Sequence, residues 1–247
     1  MRFQNKVAIV TGAGNGIGKA TSLMLAREGA KVVAIDIDQN NVEQVATIIR
    51  DAGGTALPLI VDITNVQQIQ AATAQVIDQF GQIDILVNNA GAGWKGKAVT
   101  FADTPVGSWE WIIDLNVKGT LHFTQAVLNH MVKRKYGKII NVTSIAASAG
   151  IPKLSVYSAS KGALVSFTKS LAMELGPSRI NVNCVSPGVV AREDEAIEPY
   201  NGTFLGRKGR PDEYACVIAF LASDDAAFIT GVDYLVDGGR TLGPRGV

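Results

Sequence analysis

Seven short runs rich in Val, Ile and Leu recur along this chain, and a segment of helical periodicity separates each from the next. Lys6–Thr11 (KVAIVT) is continuously apolar between its ends, as a strand covered on both faces must be. The following segment, Ile17–Glu28, repeats apolar residues at Ile17, Ala20, Leu23 and Met24 and stops at Gly29, a suitable helix cap. Further strands are expected at Lys31–Asp36, Ala56–Val61, Ile83–Asn88, Lys138–Val142, Arg179–Val185 and Tyr234–Val236. Helices are expected between them at Asn40–Ala52, Val66–Phe80, Trp109–Arg134, Val156–Leu175 and Pro211–Ala222. Alternation of this kind requires right-handed crossovers and layers of helix on both sides of one sheet. The expected fold is α/β: a doubly wound, mostly parallel, seven-stranded sheet. No repeat, low-complexity stretch or linker divides it, so 1–247 reads as a single domain. Ligands of such sheets bind beyond the carboxyl ends of the strands, where the strand order reverses.

Composition narrows the class of function. Lys and Arg number 23 against 22 Asp and Glu, a net charge of +1, so no overall field recruits nucleic acid or an anionic membrane. No apolar run is long enough to cross a bilayer, and Met1–Lys6 leads into a Gly-rich turn rather than a secretory signal. The two cysteines, Cys184 and Cys216, cannot build a disulfide framework and read as buried thiols in a reducing compartment. Two histidines, His122 and His130, form no metal cluster with them and read as packing or surface residues. A soluble, cytoplasmic protein without a metal is expected.

The first strand runs into Thr11-Gly12-Ala13-Gly14-Asn15-Gly16-Ile17-Gly18 and then a helix. Glycines there let the backbone turn sharply, approach a pyrophosphate and pack the helix on the strand. The helix N-terminus adds N–H groups and the positive end of its dipole. Asp36 closes the second strand, near the offset at which a carboxylate meets the adenosine ribose. A carboxylate accepts from the ribose hydroxyls and repels a 2′-phosphate, and the turn carries Asn15 rather than a cation. NAD is therefore expected in preference to NADP.

A second group of residues points to chemistry. Tyr157 and Lys161 are four apart and share a helix face, and Ser144 ends the preceding strand segment, near the helix start. Tyrosine, with a pKa of about 10, is a poor base at neutral pH. A neighbouring ammonium and a cationic nicotinamide ring favour its phenolate, and the Ser144 hydroxyl is placed to hold a substrate oxygen.

With these strings in order, the chain resembles the short-chain dehydrogenase/reductase superfamily over nearly its whole length. The resemblance rests on Thr11 to Gly18, Asp62-Ile63, Asn88-Asn89-Ala90-Gly91, Asn116, Ser144, the Tyr157/Lys161 pair, Pro187-Gly188 and Asp237-Gly238-Gly239. It implies a Rossmann-like fold and a catalytic set of Asn116, Ser144, Tyr157 and Lys161. Tyr157 is then the acid/base and Ser144 orients the substrate oxygen. Lys161 holds the nicotinamide ribose and lowers the tyrosine pKa, and Asn116 supports a water relay. The implied cofactor contacts are Gly12, Asn15, Gly16, Ile17, Gly18, Asp36, Asp62, Ile63, Asn89, Ala90, Gly91, Tyr157, Lys161, Pro187, Gly188 and Val190. Asp62 and Ile63 face the adenine, and Val190 meets the carboxamide through its main chain. The activity implied is interconversion of a secondary alcohol and a ketone by hydride transfer with NAD.

The chain also departs from the family pattern. Arg192 stands two residues after Val190, where relatives usually carry a Thr that contacts the carboxamide or diphosphate. The substrate lid, about 191–209, is short, acidic early (Glu193, Asp194, Glu195, Glu198) and turn-rich later (Pro199, Asn201, Gly202). Trp94, Lys95 and Lys97 follow the Asn88–Gly91 turn, at the expected substrate mouth. Two alternatives use the same fold: an NADPH-linked 3-oxoacyl-thioester reductase, and a non-catalytic NAD-binding sensor or scaffold. Apolar residues on more than one side of two helices (Val117, Leu121, Phe123, Val127, Leu128; Leu164, Val165, Phe167, Leu171) suggest a partner surface. Relatives pair these helices across a two-fold, and their tails often make a second contact, which here involves Thr241–Val247. A homotetramer binding a small-molecule alcohol or ketone is expected.

Overall fold

The computed structural model describes residues 1–93, 99–192 and 194–243. Seven strands are present among them: β1 (Val7–Thr11), β2 (Lys31–Asp36), β3 (Thr55–Ile60), β4 (Ile85–Asn88), β5 (Gly137–Val142), β6 (Ile180–Pro187) and β7 (Asp233–Val236). They form one sheet in the order β3-β2-β1-β4-β5-β6-β7, and every pair is parallel. The expected sheet was mostly parallel; it is parallel throughout, because a helical crossover joins every consecutive pair. The order reverses between β1 and β4, which opens a crevice at their carboxyl ends.

The helices are α1 (Gly16–Arg27), α2 (Gln39–Asp51), α3 (Val66–Phe80), α4 (Val106–Ile113), α5 (Gly119–Arg134), α6 (Ala146–Ala149), α7 (Ser155–Leu175) and α8 (Pro211–Ala222). Local chemistry sets their ends. The Asp38 side chain accepts from Asn41 N at the start of α2, and Asn65 does the same for Gln68 N at α3, which Gly81 ends in a left-handed conformation. Pro211 opens α8, where Glu213 accepts from Arg210 N.

Two apolar layers cover the sheet. Ala8, Val10, Val32 and Ala34 pack with Leu25 of α1, Val45 of α2 and Ile218 of α8. The alternate residues Val7, Ile9, Val33 and Ile35 pack with Val76 of α3, Val127 of α5 and Leu171 of α7. Both periods of each inner strand are therefore apolar, which explains why the strands carry no polar alternation in sequence.

Three expectations change. The span Trp109–Arg134 is not one regular helix: α4 begins at Val106, and a π-helical turn, Asp114–Lys118, separates it from α5. Cys216 is exposed, because it lies on the outer side of α8 while Ala215, Ile218 and Ala219 take the core face; Cys184 is buried as expected. β6 runs on to Pro187, beyond the apolar stretch. Trp94, Lys95, Lys97, Glu193 and Pro244–Val247 lie outside the described residues.

Candidate active site

The glycine turn is braced from the neighbouring strand. Thr11 Oγ1 accepts from the backbone N–H of Asn89 (3.1 Å) and of Ala90 (3.0 Å), and Asn89 Nδ2 donates to the carbonyls of Thr11 and Gly12, each at 3.0 Å. Gly12 has φ +64°, where a side chain is strained, and a Cβ on Gly18 would lie 2.0 Å from the Gly12 carbonyl oxygen. The two glycines thus let α1 start directly against the turn. The Asn15 side chain makes no capping bond and the first turn of α1 contains no acidic residue, and the positive end of the helix dipole lies at the glycine turn. Asp36 is held over the turn: its Oδ2 accepts from Gly14 N (2.8 Å) and its Oδ1 from Asp38 N (3.1 Å).

Beside the turn lies a cavity of about 460 Å³, walled by Gly12, Asn15, Ile17, Asp36, Asp62, Ile63, Asn89, Ala90, Gly91 and Val190. Ile35, Ile37, Val61 and Leu115 complete the wall without having been foreseen. Ile37 is a large, mostly exposed aliphatic immediately after Asp36, a signal that was available. Asp62 Oδ1 accepts from Thr64 N (2.8 Å) and Thr64 Oγ1 (2.7 Å), bending the chain from β3 into α3 and keeping Ile63 inward. Gly16, Gly18, Pro187 and Gly188 are not walls of this cavity. Pro187 instead accepts from Ile145 N (3.1 Å), and Gly188 donates to Val236 O (2.9 Å), so they join the loop after β5 to β7. The cavity therefore offers what a dinucleotide requires: a glycine turn at a helix start, apolar walls, and an acid at the far end.

The catalytic candidates converge from three elements. Asn116 sits in the π-helical turn, fully buried, with Oδ1 accepting from Ala92 N (2.9 Å) and Nδ2 donating to Ala92 O (3.0 Å) and Ser160 Oγ (3.1 Å). The wider turn re-aims one side chain out of an otherwise regular helix. Lys161 donates to Val142 O (3.1 Å), and its Nζ is 5.9 Å from the Tyr157 ring centre. A Cβ on Gly91 would lie 3.0 Å from Asn116 Oδ1 and 3.2 Å from Lys161 Nζ, so this glycine lets both approach one point. Ser144 accepts from Ala146 N (3.1 Å) just beyond the end of β5 and lies near enough to the Tyr157 phenol to influence its titration. Burial pushes the Tyr157 phenol above its ordinary range, and the nearby Ser144 hydroxyl opposes that shift. Burial also draws the Lys161 ammonium down to about 8.

A buried polar seam under these residues went unread in sequence. Asn88 Nδ2 donates to Thr124 Oγ1 (3.0 Å) and Asn141 Oδ1 (2.9 Å); Asn141 Nδ2 donates to Thr168 Oγ1 (2.8 Å), which also accepts from Cys184 Sγ (3.0 Å). Its trace in sequence is polar residues two apart within apolar strands, at Asn141 and Thr143 and at Cys184 and Ser186. The described residues of 191–209 form an irregular loop whose base closes where Ala191 N donates to Gly209 O (2.8 Å) and Gly209 N to Val189 O (3.0 Å). Ion pairs Lys208–Glu195 and Arg207–Glu213 and the Arg240–Tyr200 hydrogen bond (2.7 Å) tie it down. Among the described residues no group of His, Cys, Asp or Glu is arranged to hold a metal. Nor is any described helix long and apolar enough to cross a membrane.

The family model described as short chain dehydrogenase matches residues 6–196. The chain belongs to the short-chain dehydrogenase/reductase family. This dehydrogenase is 37% identical to the 3-oxoacyl-[acyl-carrier-protein] reductase of Thermotoga maritima over 98% of this chain and 100% of that one. It is 35% identical to the meso-2,3-butanediol dehydrogenase of Serratia marcescens over 98% and 96% of the two. Among solved structures, it resembles a 7α-hydroxysteroid dehydrogenase in complex with NADH and 7-oxo glycochenodeoxycholic acid (TM-score 0.89, 34% identity, 96% and 95% covered). It also resembles an NAD+-bound xylitol dehydrogenase (TM-score 0.89, 31% identity, 97% and 100% covered). As a member of this family it is an NAD(P)-dependent oxidoreductase acting on CH–OH groups.

Proposed function

We propose that this short-chain dehydrogenase is an NAD-dependent enzyme that interconverts a secondary alcohol and a ketone through Asn116, Ser144, Tyr157 and Lys161. The observation that carries the reading is the Tyr157 phenol, beside the Ser144 hydroxyl and one helical turn from the buried Lys161, whose Nζ is 5.9 Å from the tyrosine ring centre. Bound NAD supplies the hydride acceptor for oxidation, and its reduced form the hydride donor for the reverse. Tyr157 takes the hydroxyl proton as hydride leaves the carbinol carbon, and returns it to the carbonyl oxygen in reduction. Ser144 holds that oxygen. Lys161 binds the nicotinamide ribose and favours the phenolate by its charge. Asn116 bridges Lys161 toward solvent through water. Asp36 supports NAD over NADP, since its carboxylate faces the ribose end of the cavity and repels a 2′-phosphate. Gly12, Asn15, Gly16, Ile17 and Gly18 cradle the diphosphate, and Asp62, Ile63, Asn89, Ala90, Gly91, Pro187, Gly188 and Val190 hold the rest of the cofactor. One domain, 1–247, contains the whole apparatus, with 191–209 as its lid. The assembly is a cytoplasmic homotetramer.

A panel tests this directly: meso-2,3-butanediol, xylitol, a 7α-hydroxysteroid and a 3-hydroxyacyl thioester, each with NAD and with NADP, followed at the absorbance of the reduced nicotinamide. Turnover of a panel alcohol with NAD is expected. Preference for NADPH with the oxo form of the thioester supports the reductase alternative. NADH binding with no turnover of any alcohol supports a sensor or scaffold.

A further inference from the structure

Asp233 is an acid on the edge strand β7, half buried, on the face of the sheet that α7 covers. It pairs in register with Cys184 of β6, whose thiol meets Thr168 of α7. Two residues on, and on the same face, Ser186 Oγ donates to Asp233 Oδ1 at 2.7 Å. Ser186 Oγ is in turn 2.6 Å from Thr143 Oγ1 at the end of β5. Three strand ends are thus joined by carboxylate, hydroxyl and hydroxyl, with both hydroxyls buried. Burial pushes the Asp233 carboxyl above its ordinary range, and the Ser186 hydrogen bond opposes this.

An ionised carboxylate only accepts, so Ser186 gives it its single proton, and the Thr143 hydroxyl, 2.6 Å from Ser186 Oγ and 3.0 Å from Val185 O, has these two acceptors for its own. Asp233 therefore fixes the orientation of the Ser186 hydroxyl, and its charge shortens and strengthens the bond it receives. The residues that it holds are adjacent to functional ones: Thr143 precedes Ser144, and Ser186 precedes Pro187-Gly188. The backbone bonds Thr143 N to Val185 O (2.8 Å) and Ile145 N to Pro187 O (3.1 Å) lie in the same seam.

We propose that Asp233 is a positioning residue which, through Ser186 and Thr143, sets the separation between the strand end bearing Ser144 and the Pro187–Val190 turn. The inference rests on the proposed roles of Ser144 at the substrate oxygen and of that turn at the nicotinamide. A small change in this separation degrades alignment of the reacting atoms. It leaves the adenosine half untouched, because Asp36, Asp62 and Ile63 stand at the ends of β2 and β3, on the other side of the sheet's switch point.

The full-length chain and its Asp233→Ala, Asp233→Asn, Ser186→Ala and Asp233→Ala/Ser186→Ala variants test this. NADH binding is read by fluorescence, ADP-ribose binding by calorimetry, and kcat and KM with the panel alcohol that the wild type oxidises fastest. Asp233→Ala is expected to lower kcat by about tenfold or more and to weaken NADH by about fivefold. ADP-ribose, which lacks the nicotinamide, keeps its affinity within about twofold, since its contacts lie elsewhere. Asp233→Asn restores kcat, because its amide oxygen still accepts from Ser186. Ser186→Ala reproduces the loss with Asp233 intact, and the double variant is no worse than either single one. Wild-type kcat and NADH affinity in Asp233→Ala overturn the proposal, as does an equal loss of NADH and ADP-ribose or an Asn variant as impaired as Ala. If Asp233→Ala does not fold, Ser186→Ala decides alone, and a silent Ser186→Ala overturns it. Failure of the wild type on every alcohol defeats the oxidoreductase reading instead, while the NADH and ADP-ribose comparison still judges Asp233.

Discussion

As the proposed acid/base, Tyr157 must exist as phenol for one direction of the reaction and as phenolate for the other, so its environment would set the pH at which each direction runs. Burial favours the phenol, and Ser144 pulls the other way, as the Lys161 charge does in the proposed mechanism. Alcohol oxidation, which needs the phenolate, is therefore expected to rise in kcat/KM through the alkaline range, and ketone reduction to fall there. Ser144→Ala removes the opposing hydroxyl and should displace the rising limb to higher pH; a limb that stays in place, or moves to lower pH, argues against Ser144 acting on the phenol. Tyr157→Phe keeps the ring and loses only the proton donor, so kcat should fall about 10²–10⁴-fold with NADH affinity nearly unchanged. Retention of more than about a tenth of the rate removes Tyr157 as the acid/base. At the other end of the cavity, Asp36 should give NAD at least about a tenfold advantage over NADP in kcat/KM, which needs only about 1.4 kcal/mol. Asp36→Ala should narrow that gap, and equal use of both cofactors by the wild type contradicts the proposed role. These residues were legible because each lies at a strand end or on one helix face at a fixed spacing. Asn116 was legible only by resemblance, since nothing in its neighbours announces a π-helical turn.

At the scale of elements, the site depends on contacts too close for side chains. The Gly18 Cα faces the Gly12 carbonyl, and an added methyl would sit 2.0 Å from that oxygen. Gly18→Ala must push α1 off the turn, and overpacking of this kind costs about 1–3 kcal/mol. A fall of several degrees in Tm is expected for a chain of this size, together with weaker NADH binding. An unchanged melting curve would falsify the close packing of α1 on β1. Asn89 is the brace from the neighbouring strand: its side chain is spent on the Thr11 and Gly12 carbonyls, so it shapes the turn as well as walling the cavity. The helix boundary at Asp114–Lys118 escaped the sequence because a π-turn changes which residue faces inward without breaking the apolar pattern. Cys216 was misplaced for the opposite reason. In a helix as apolar as α8, periodicity scarcely separates the core face from the outer one.

For the whole molecule, the structure divides the two apolar helices into inner and outer residues. Phe123, Val127, Leu164 and Leu171 are buried in their own core, whereas Val117, Leu121 and Val165 are only partly covered and Met173 is exposed. The outer set is what the proposed two-fold pairing of α5 and α7 would cover. Sedimentation at micromolar concentration is expected to give the mass of four chains, and a mass near one chain rejects that interface. The sequence by itself determined the architecture, since strand and helix periods and glycine positions are local properties that each segment must satisfy wherever it packs. It also placed Tyr157 and Lys161 on one side of a single helix and Asp36 at the end of a strand, because spacing along one element settles such positions. Only the tertiary structure decided that Asn116 and Lys161 meet across Gly91, that Asn89 braces the turn, and that Asp233 reaches Thr143 through Ser186. Those contacts join residues far apart in the chain, and hydrogen-bond partners at such separations follow from strand order and register, which no local pattern encodes.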